Sequence, residues 1–270
     1  MARIEYKTEE QIRVMRQAGL VVARLHDAVR AAAVPGATTN DLDRVAAQVI
    51  EDAGAQPNFL GYYGYPKTIC TSVNDVVVHG IPSDQELRAG DLLSVDAGAI
   101  VDGWHGDAAF SMIIGDGGTS QDADLIEATT QTMWAGIAAL TTSKHLGQVS
   151  AALEDAAREA GNYGIIREYT GHGIGSAMHQ PPEVLNYRTR SRGPRLKPGM
   201  CLAIEPMLTT GGEATKVLDD DWTVVTVDGS RAAHVEHTVA IHAEGIWVLT
   251  AVDGGREGLA PYGVVPIPLD

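Results

Sequence analysis

The sequence predicts an α+β protein built from two related halves, each with two helices followed by strands that carry acidic residues. Two observations indicate this fold class: amphipathic helical patterns alternate with β-rich segments, and short sequence motifs recur along the chain. Three pairs of segments match in the same order: 87–96 with 196–205, 106–112 with 235–241, and 79–81 with 172–174. A duplicated unit that closes on itself explains these matches.

The first predicted helix has clear signals at both ends. Thr8 is followed three residues later by Gln11, which is the spacing of a capping box. Apolar residues then recur at helical spacing, and the Pro35-Gly36 pair ends the pattern. We therefore expect the chain to enter its first helix at Thr8.

Three further helices are predicted by the same signals. The second begins at Thr39 or Asn40 and ends near Gly54, and a second pair occupies 122–140 and 146–160. Strands are predicted in six segments: 75–81, 92–101, 106–114, 200–209, 222–228 and 234–242.

No linker rich in proline, serine or charge divides the chain, so we expect a single domain over residues 1–270. Its halves are expected at about 1–120 and 121–250, with a tail over 251–270. Cys70 and Cys201 lack metal-binding spacing and are expected as reduced thiols.

Composition excludes several classes of protein. The 35 acidic residues outnumber the 20 basic ones, which gives a net charge of −15 across 270 residues. Such a charge disfavours nucleic acid and anionic membrane surfaces, because both attract cationic proteins. The first ten residues carry five charges and no apolar run, so no signal peptide is expected, and we expect a cytoplasmic protein.

Four acidic residues lie in otherwise apolar strand patterns. Asp96 and Asp107 belong to the first half, and Glu205 and Glu236 occupy related places in the second. Buried carboxylates are rare unless they are paired or bound to cations. If the halves face each other, these acids converge and require cations.

Histidines complete the predicted donor set. His172 lies in a glycine-rich segment, His179 follows seven residues later, and His79 ends an apolar strand pattern. One imidazole with four carboxylates fits a two-metal hydrolytic centre that uses Mn, Fe(II), Co or Zn. The other six histidines are interpreted as hydrogen-bonded core residues: His26, His105, His145, His234, His237 and His242.

Together these motifs resemble type I methionine aminopeptidases, collinearly from about residue 5 to residue 250. The segments that carry the resemblance are His79-Gly80-Ile81-Pro82, Val95-Asp96-Ala97-Gly98, Gly106-Asp107, Thr170-Gly171-His172-Gly173-Ile174-Gly175, His179, Ile204-Glu205-Pro206 and Val235-Glu236-His237-Thr238. The resemblance implies a pita-bread fold, in which pseudo-symmetric halves surround a central antiparallel sheet with two metals between them. It also implies a monomer that acts on the N-termini of nascent polypeptides, in association with the ribosome, when the second residue is small.

The resemblance implies a role for each matching site residue. Asp96 and Asp107 would bind one metal, and Asp107, His172 and Glu205 the other, with Asp107 and Glu236 bridging the two. Glu205 would also act as the acid/base. His179 would hydrogen-bond the scissile carbonyl, and His79 the nitrogen beyond the scissile bond.

A methionine side-chain pocket is implied by the segment 61–70. Tyr62, Tyr65 and Cys70 match the family's pocket, and Trp222 matches its far wall. An aromatic and sulfur-lined wall suits a soft thioether. Two positions depart from the pattern: Phe59 stands where a relative often has cysteine, and Met178 where it often has an aromatic residue. They put the shape of the pocket in question, and not the reaction.

Other readings of the same motifs are weaker. Prolidase and aminopeptidase P share the fold and metal set but usually carry a large N-terminal domain, whereas the first helix here begins at Thr8. Type II methionine aminopeptidases carry a helical insertion for which the second half leaves no room. A non-catalytic relative would lose metal ligands, and a calcium protein would need a loop that Asp219-Asp220-Asp221 does not form.

Overall fold

A computed structural model of the chain describes residues 3–269, so residues 1, 2 and 270 of the expected domain lie outside the described part. The helices are α1 Glu9–Ala32, α2 Thr39–Asp52, α3 Ser120–Ala139, α4 Leu146–Ala160 and α5 Arg256–Leu259, with short 3₁₀ turns at Tyr62–Gly64 and Ala260–Tyr262. The strands are β1 Gln56–Pro57, β2 Ile69–Val73, β3 Val76–Val78, β4 Leu92–Val101, β5 Trp104–Ile113, β6 Gly164–Ile165, β7 Gly171–Gly173, β8 Gln180–Val184, β9 Cys201–Ile204, β10 Met207–Thr209, β11 Thr215–Val217, β12 Val224–Thr226, β13 Ala232–His234, β14 Glu236–Ile241 and β15 Ile246–Val248.

A central sheet of nine antiparallel strands joins the two halves. Its main path runs β1-β4-β5-β14-β9-β7-β8, while β2 pairs with β4 and β15 with β14. The halves meet where β5 pairs with β14, at Ala109 opposite Glu236 and Ala108 opposite His237. Acid-bearing strands of both halves therefore lie side by side.

Each half packs one helix pair onto the sheet. Helices α1 and α2 form an apolar core with β4 and β5, and α3 and α4 form a second core with β9 and β14. Helix α1 approaches very closely at Gly19, where an added Cβ atom would lie 2.1 Å from the carbonyl oxygen of Leu249. This contact packs α1 directly against the chain that follows β15, and the arrangement of two helix pairs on one sheet confirms the predicted pita-bread fold.

Most predicted elements are confirmed. Helix α1 begins with the predicted capping box, in which Thr8 is the N-cap. Helix α4 and strand β4 have the predicted bounds. Cys70 and Cys201 are both buried and free, as expected.

Several predicted boundaries were wrong. Helix α2, by contrast, begins at Thr39, one of the two predicted start residues, and Thr38 is its N-cap, because Thr38 and Asp41 form a capping box. The predicted strand 200–209 is interrupted at Glu205-Pro206, where proline has no N–H to donate to a ladder. The predicted strand 75–81 keeps only Val76–Val78, and strand β2 before it was missed. Within residues 3–269, no helix is long and apolar enough to cross a membrane.

Candidate active site

A cavity of about 310 Å³ opens between the two halves. All eleven predicted site residues line it: Tyr62, Tyr65, Cys70, His79, Asp96, Asp107, His172, His179, Glu205, Trp222 and Glu236. These residues are spread over most of the chain, and the fold brings them together.

Strand register places the acidic residues on one face of the sheet. Cys70 pairs with Asp96, Asp96 with Ala109, and Ala109 with Glu236, so these four form one row across β2, β4, β5 and β14. Asp107 lies two residues from Ala109 on β5 and therefore points to the same face. Its backbone is held by Thr238, whose hydroxyl accepts from the Asp107 N–H at 3.1 Å and donates to the Asp107 carbonyl at 2.7 Å.

The second half adds an imidazole and another carboxylate. His172 on β7 pairs with Ala203 on β9, and Glu205 follows two residues later on the same face. The Nε2 atom of His172 lies 3.4 Å from Oε1 of Glu205. The Nδ1 atom lies 3.0 Å from the Gly173 carbonyl oxygen. A proton on Nδ1 satisfies that carbonyl and leaves the Nε2 lone pair facing the cavity.

Asp107, Glu205 and Glu236 are buried, Asp96 is half-buried, and several of their oxygens are unsatisfied. Asp107 is 2% exposed, and one oxygen each of Asp96, Asp107 and Glu236 accepts no hydrogen bond from any described residue. Burial, with repulsion from neighbouring acids, raises the pKa of Asp96 to about 7 and that of Asp107 well above its usual range. Burial likewise raises the pKa values of Glu205 and Glu236.

This donor set fits divalent metal ions. Asp107, His172 and Glu236 each offer a ligand atom, and these atoms lie within 4.8 Å of one another. Carboxylate oxygens without donors and a free imidazole lone pair are the ligands that Mn, Fe(II), Co and Zn accept. Cations at this place would also balance the crowded negative charge.

His79 and His179 lie at the sides of the cavity. His79 adopts a left-handed backbone conformation with φ of 60°, just after β3. The next residue, Gly80, has no room for a Cβ atom, which would lie 2.2 Å from the Thr71 carbonyl oxygen. The His179 ring lies 4.3 Å from the His172 ring, between centroids. Burial lowers the pKa of His79 to about 4 and also lowers that of His179, so both are neutral at pH 7.

An apolar cluster forms the rest of the wall. Phe59, Tyr65, Cys70 and Met178 are buried together, and Trp222 packs against them with its ring 5.0 Å from the Tyr65 ring. The Tyr65 hydroxyl donates to the carbonyl oxygens of Ile69 and Gly80, both at 3.1 Å. This wall is therefore rigid on the Tyr65 side, and the two unusual residues are part of it.

His234 was interpreted as a hydrogen-bonded core residue; it is buried as expected, but its Nε2 atom has no hydrogen-bond partner among the described residues and it belongs to the site. It is 2% exposed, lines the cavity, and its Nε2 atom lies 3.4 Å from Oε2 of Glu205. The sequence carried no signal for this position, because His234 reaches Glu205 through the pairing of β13 with β10, where it lies opposite Met207. Five other lining residues were also missed: Val78, Glu168, Tyr169, Thr170 and Met207.

The fold and this donor set define a class of protein, a metallohydrolase with its metal ligands between two pseudo-symmetric halves. Residues 13–243 match the model of metallopeptidase family M24. Methionine aminopeptidase 1 of Mycobacterium tuberculosis is 49% identical, over 92% of this chain and 95% of that protein. A methionine aminopeptidase of Escherichia coli is 37% identical, over 92% of this chain and 94% of that protein.

Solved structures agree. A methionine aminopeptidase from Thermotoga maritima superposes with a TM-score of 0.88 at 39% identity, over 93% of this chain and 99% of that chain. Prolidase from Pyrococcus furiosus has a TM-score of 0.71 at 19% identity, and only 65% of that chain is covered, so it shares the fold. The chain therefore belongs to metallopeptidase family M24 and, within it, to the methionine aminopeptidases.

Proposed function

We propose that this chain is a metal-dependent aminopeptidase that removes methionine from the N-termini of polypeptides whose second residue is small. The observation that carries the proposal is one cavity with two kinds of wall. Buried carboxylates and His172 form one side, and the cluster of Phe59, Tyr65, Cys70 and Met178 forms the other. Such a cavity can hold an α-amino group near the acids while it surrounds an apolar side chain.

The cofactors would be two divalent ions, Co, Mn, Fe(II) or Zn. Asp96 and Asp107 would hold one ion, and Asp107, His172 and Glu205 the other, with Asp107 and Glu236 shared between them. Ions of this kind polarise a carbonyl and make water nucleophilic at neutral pH.

The protein's own residues would direct the reaction. Glu205 would take a proton from the attacking water and return it to the leaving amine. His179 would donate a hydrogen bond to the scissile carbonyl oxygen as negative charge develops there, and His79 would contact the nitrogen beyond the scissile bond. The neutral state of both histidines supports these roles, because a neutral imidazole has one N–H donor without an added charge.

The side chain of the first substrate residue would enter the wall formed by Tyr62, Tyr65, Cys70 and Trp222. Sulfur and aromatic edges interact favourably with a thioether. The buried acids would attract the positive α-amino group, so a free N-terminus would be required.

We further propose that residues 1–270 act as one catalytic domain, as a cytoplasmic monomer that meets nascent polypeptides at the ribosome. The net charge of −15 supports a protein that does not bind RNA or anionic membranes by general electrostatics.

The test combines metal analysis with peptide cleavage. Protein purified without chelator should contain a divalent metal, and chelation should abolish cleavage of Met-Ala-Ser. Added Mn, Fe(II), Co or Zn should restore the release of free methionine. Full activity after complete metal removal would contradict the proposal.

A further inference from the structure

A tyrosine hydroxyl contacts His179, one of the four histidines that line the cavity. The Oη atom of Tyr62 lies 2.8 Å from Nδ1 of His179, and the contact joins parts of the chain that are 117 residues apart. The two rings are 5.4 Å apart between centroids. Tyr65, the neighbouring tyrosine of the cavity, points its hydroxyl to backbone carbonyls instead.

The direction of this hydrogen bond follows from the donors and acceptors that the two groups offer. A phenol keeps its proton at neutral pH, and Nδ1 of a neutral imidazole accepts a hydrogen bond when the ring proton is on Nε2. Among described residues, the Nδ1 atom of His179 is the one acceptor within hydrogen-bonding distance of the Tyr62 hydroxyl. At 2.8 Å, the phenol is therefore placed to donate its proton to His179.

The loop that carries His179 also has hydrogen bonds that do not involve Tyr62. The Gln180 side chain donates to Oε2 of Glu5 at 2.9 Å and accepts from Nζ of Lys7 at 3.1 Å. The Ser176 hydroxyl donates to Oε1 of Glu5 at 2.6 Å. The N-terminal segment therefore contacts this loop on both sides of His179, and the Tyr62 hydroxyl contacts it at the His179 ring.

We propose that Tyr62 is a positioning residue that holds His179 in the tautomer with its proton on Nε2. A lone pair at Nδ1 accepts from the phenol, so the single imidazole proton lies on the far nitrogen. That N–H is then available to donate to the scissile carbonyl oxygen. The inference rests on the proposed function for its catalytic consequence, and it gives Tyr62 a role beyond that of an apolar wall.

The Tyr62→Phe variant separates the two roles, because it keeps the ring and removes only the hydroxyl. Tyr63→Phe is the matched control, since Tyr63 is 87% exposed and has no part in the site. We expect Tyr62→Phe to lower kcat about tenfold, with KM for Met-Ala-Ser changed less than about twofold. Tyr63→Phe should leave both constants unchanged. In a His179→Ala background, Tyr62→Phe should have less than a twofold further effect on kcat.

The tautomer can be observed directly in the Zn²⁺-loaded protein labelled with ¹⁵N-histidine. Long-range ¹H–¹⁵N spectra should show His179 protonated on Nε2 and unprotonated on Nδ1. Tyr62→Phe should shift His179 towards a mixture of tautomers, and Tyr63→Phe should not.

Three outcomes would overturn the inference: a proton on Nδ1 in the unmodified protein, full kcat in Tyr62→Phe, or an equal loss of kcat with and without His179. The spectrum of the unmodified protein needs no variant, so a folding defect in Tyr62→Phe leaves the test intact. If no methionine peptide is cleaved at all, the proposed function fails, and the spectrum still decides the tautomer.

Discussion

Asp107→Asn should change activity and metal-free stability in opposite directions. Asp107 is buried at the centre of the donor set, and one of its oxygens has no donor. An amide has no negative charge to share between two ions, so the variant should bind less metal and lose turnover. Replacing a residue that only supports a metal ligand typically lowers metal affinity or activity 10- to 100-fold. Replacing a ligand itself should lower them at least as much.

The stability change follows from the distance between acids. Ligand oxygens of Asp107 and Glu236 lie within 4.8 Å of each other. Two full charges at that distance repel by roughly 3 kcal/mol at an effective dielectric constant of 20. Protonation relieves part of this repulsion, so we expect Asp107→Asn to stabilise the metal-free protein by about 1–3 kcal/mol. For a chain of this size, that raises Tm by roughly 2–10 °C.

The stability that Asp107→Asn adds to the metal-free protein should increase with pH. Burial and neighbouring acids raise the pKa of folded Asp107 above its unfolded value, which is about 3.9. Below about pH 4 the Asp107 carboxyl therefore costs the folded state no stability. The free energy of unfolding falls as the pH rises through the folded pKa, because the buried carboxyl then loses its proton. We expect the difference in Tm between Asp107→Asn and the unmodified protein to be larger at pH 8 than at pH 5.

Thermal unfolding in EDTA measures the change in metal-free stability. Metal analysis and Met-Ala-Ser cleavage measure the predicted loss of metal and of turnover. Asp102→Asn is the matched control, because Asp102 lies exposed in the turn between β4 and β5. Metal content and turnover unchanged in Asp107→Asn, or a lower metal-free Tm at pH 8, would refute the reasoning.

Further predictions concern the histidines, the pocket and the N-terminal segment. His79→Ala and His179→Ala should each retain metal while kcat falls about 10²- to 10³-fold, and loss of metal from either would make that histidine a ligand. A peptide with norleucine in place of methionine should be cleaved with a small change in kcat/KM. Each methylene removed from the first side chain should reduce transition-state stabilisation by about 1–3 kcal/mol. Cleavage of Ala-Ala-Ser as fast as that of Met-Ala-Ser would contradict the proposed pocket. Gly199→Ala would place a methyl group 2.7 Å from the Lys7 carbonyl oxygen, at a residue with φ of 89°, so its free energy of unfolding should fall by about 1–3 kcal/mol. The control is Gly212→Ala, because an added methyl group there would lie 3.4 Å from its nearest neighbouring atom. Equal stability of the two variants would show that the N-terminal segment moves aside without a cost in stability.

The elements that could be predicted from sequence are those with local signals. Helix α1 has a complete capping box, and β4 has a long apolar pattern with a matching segment in the other half. The break at Pro206 was also readable from the sequence, yet the apolar run through 200–209 favoured one strand. Strand β2 was missed because it is only five residues long and every one of its side chains is buried. Such a strand does not show the alternation of apolar and polar residues that indicates a half-buried strand.

The candidate site residues also divide into those with a local sequence signal and those without one. Asp96, Asp107, Glu205 and Glu236 could be found because acids are unusual in apolar strand patterns. His234 could not be distinguished from a core histidine, because only strand pairing shows that it faces Glu205. The contact between Tyr62 and His179 has no sequence signal at all, since it depends on how two distant loops meet.

Cleavage of a peptide mixture tests the central claim most directly. Metal-loaded protein would be incubated with equal amounts of Met-Ala-Ser, acetyl-Met-Ala-Ser, Ala-Ala-Ser and Ala-Pro-Ser, and mass spectrometry would follow each peptide. We predict that only Met-Ala-Ser is consumed, that it releases one methionine, and that the Ala-Ser product accumulates uncut. Preferred cleavage of Ala-Pro-Ser, or sequential trimming of every free N-terminus, would contradict an enzyme that removes a single N-terminal methionine.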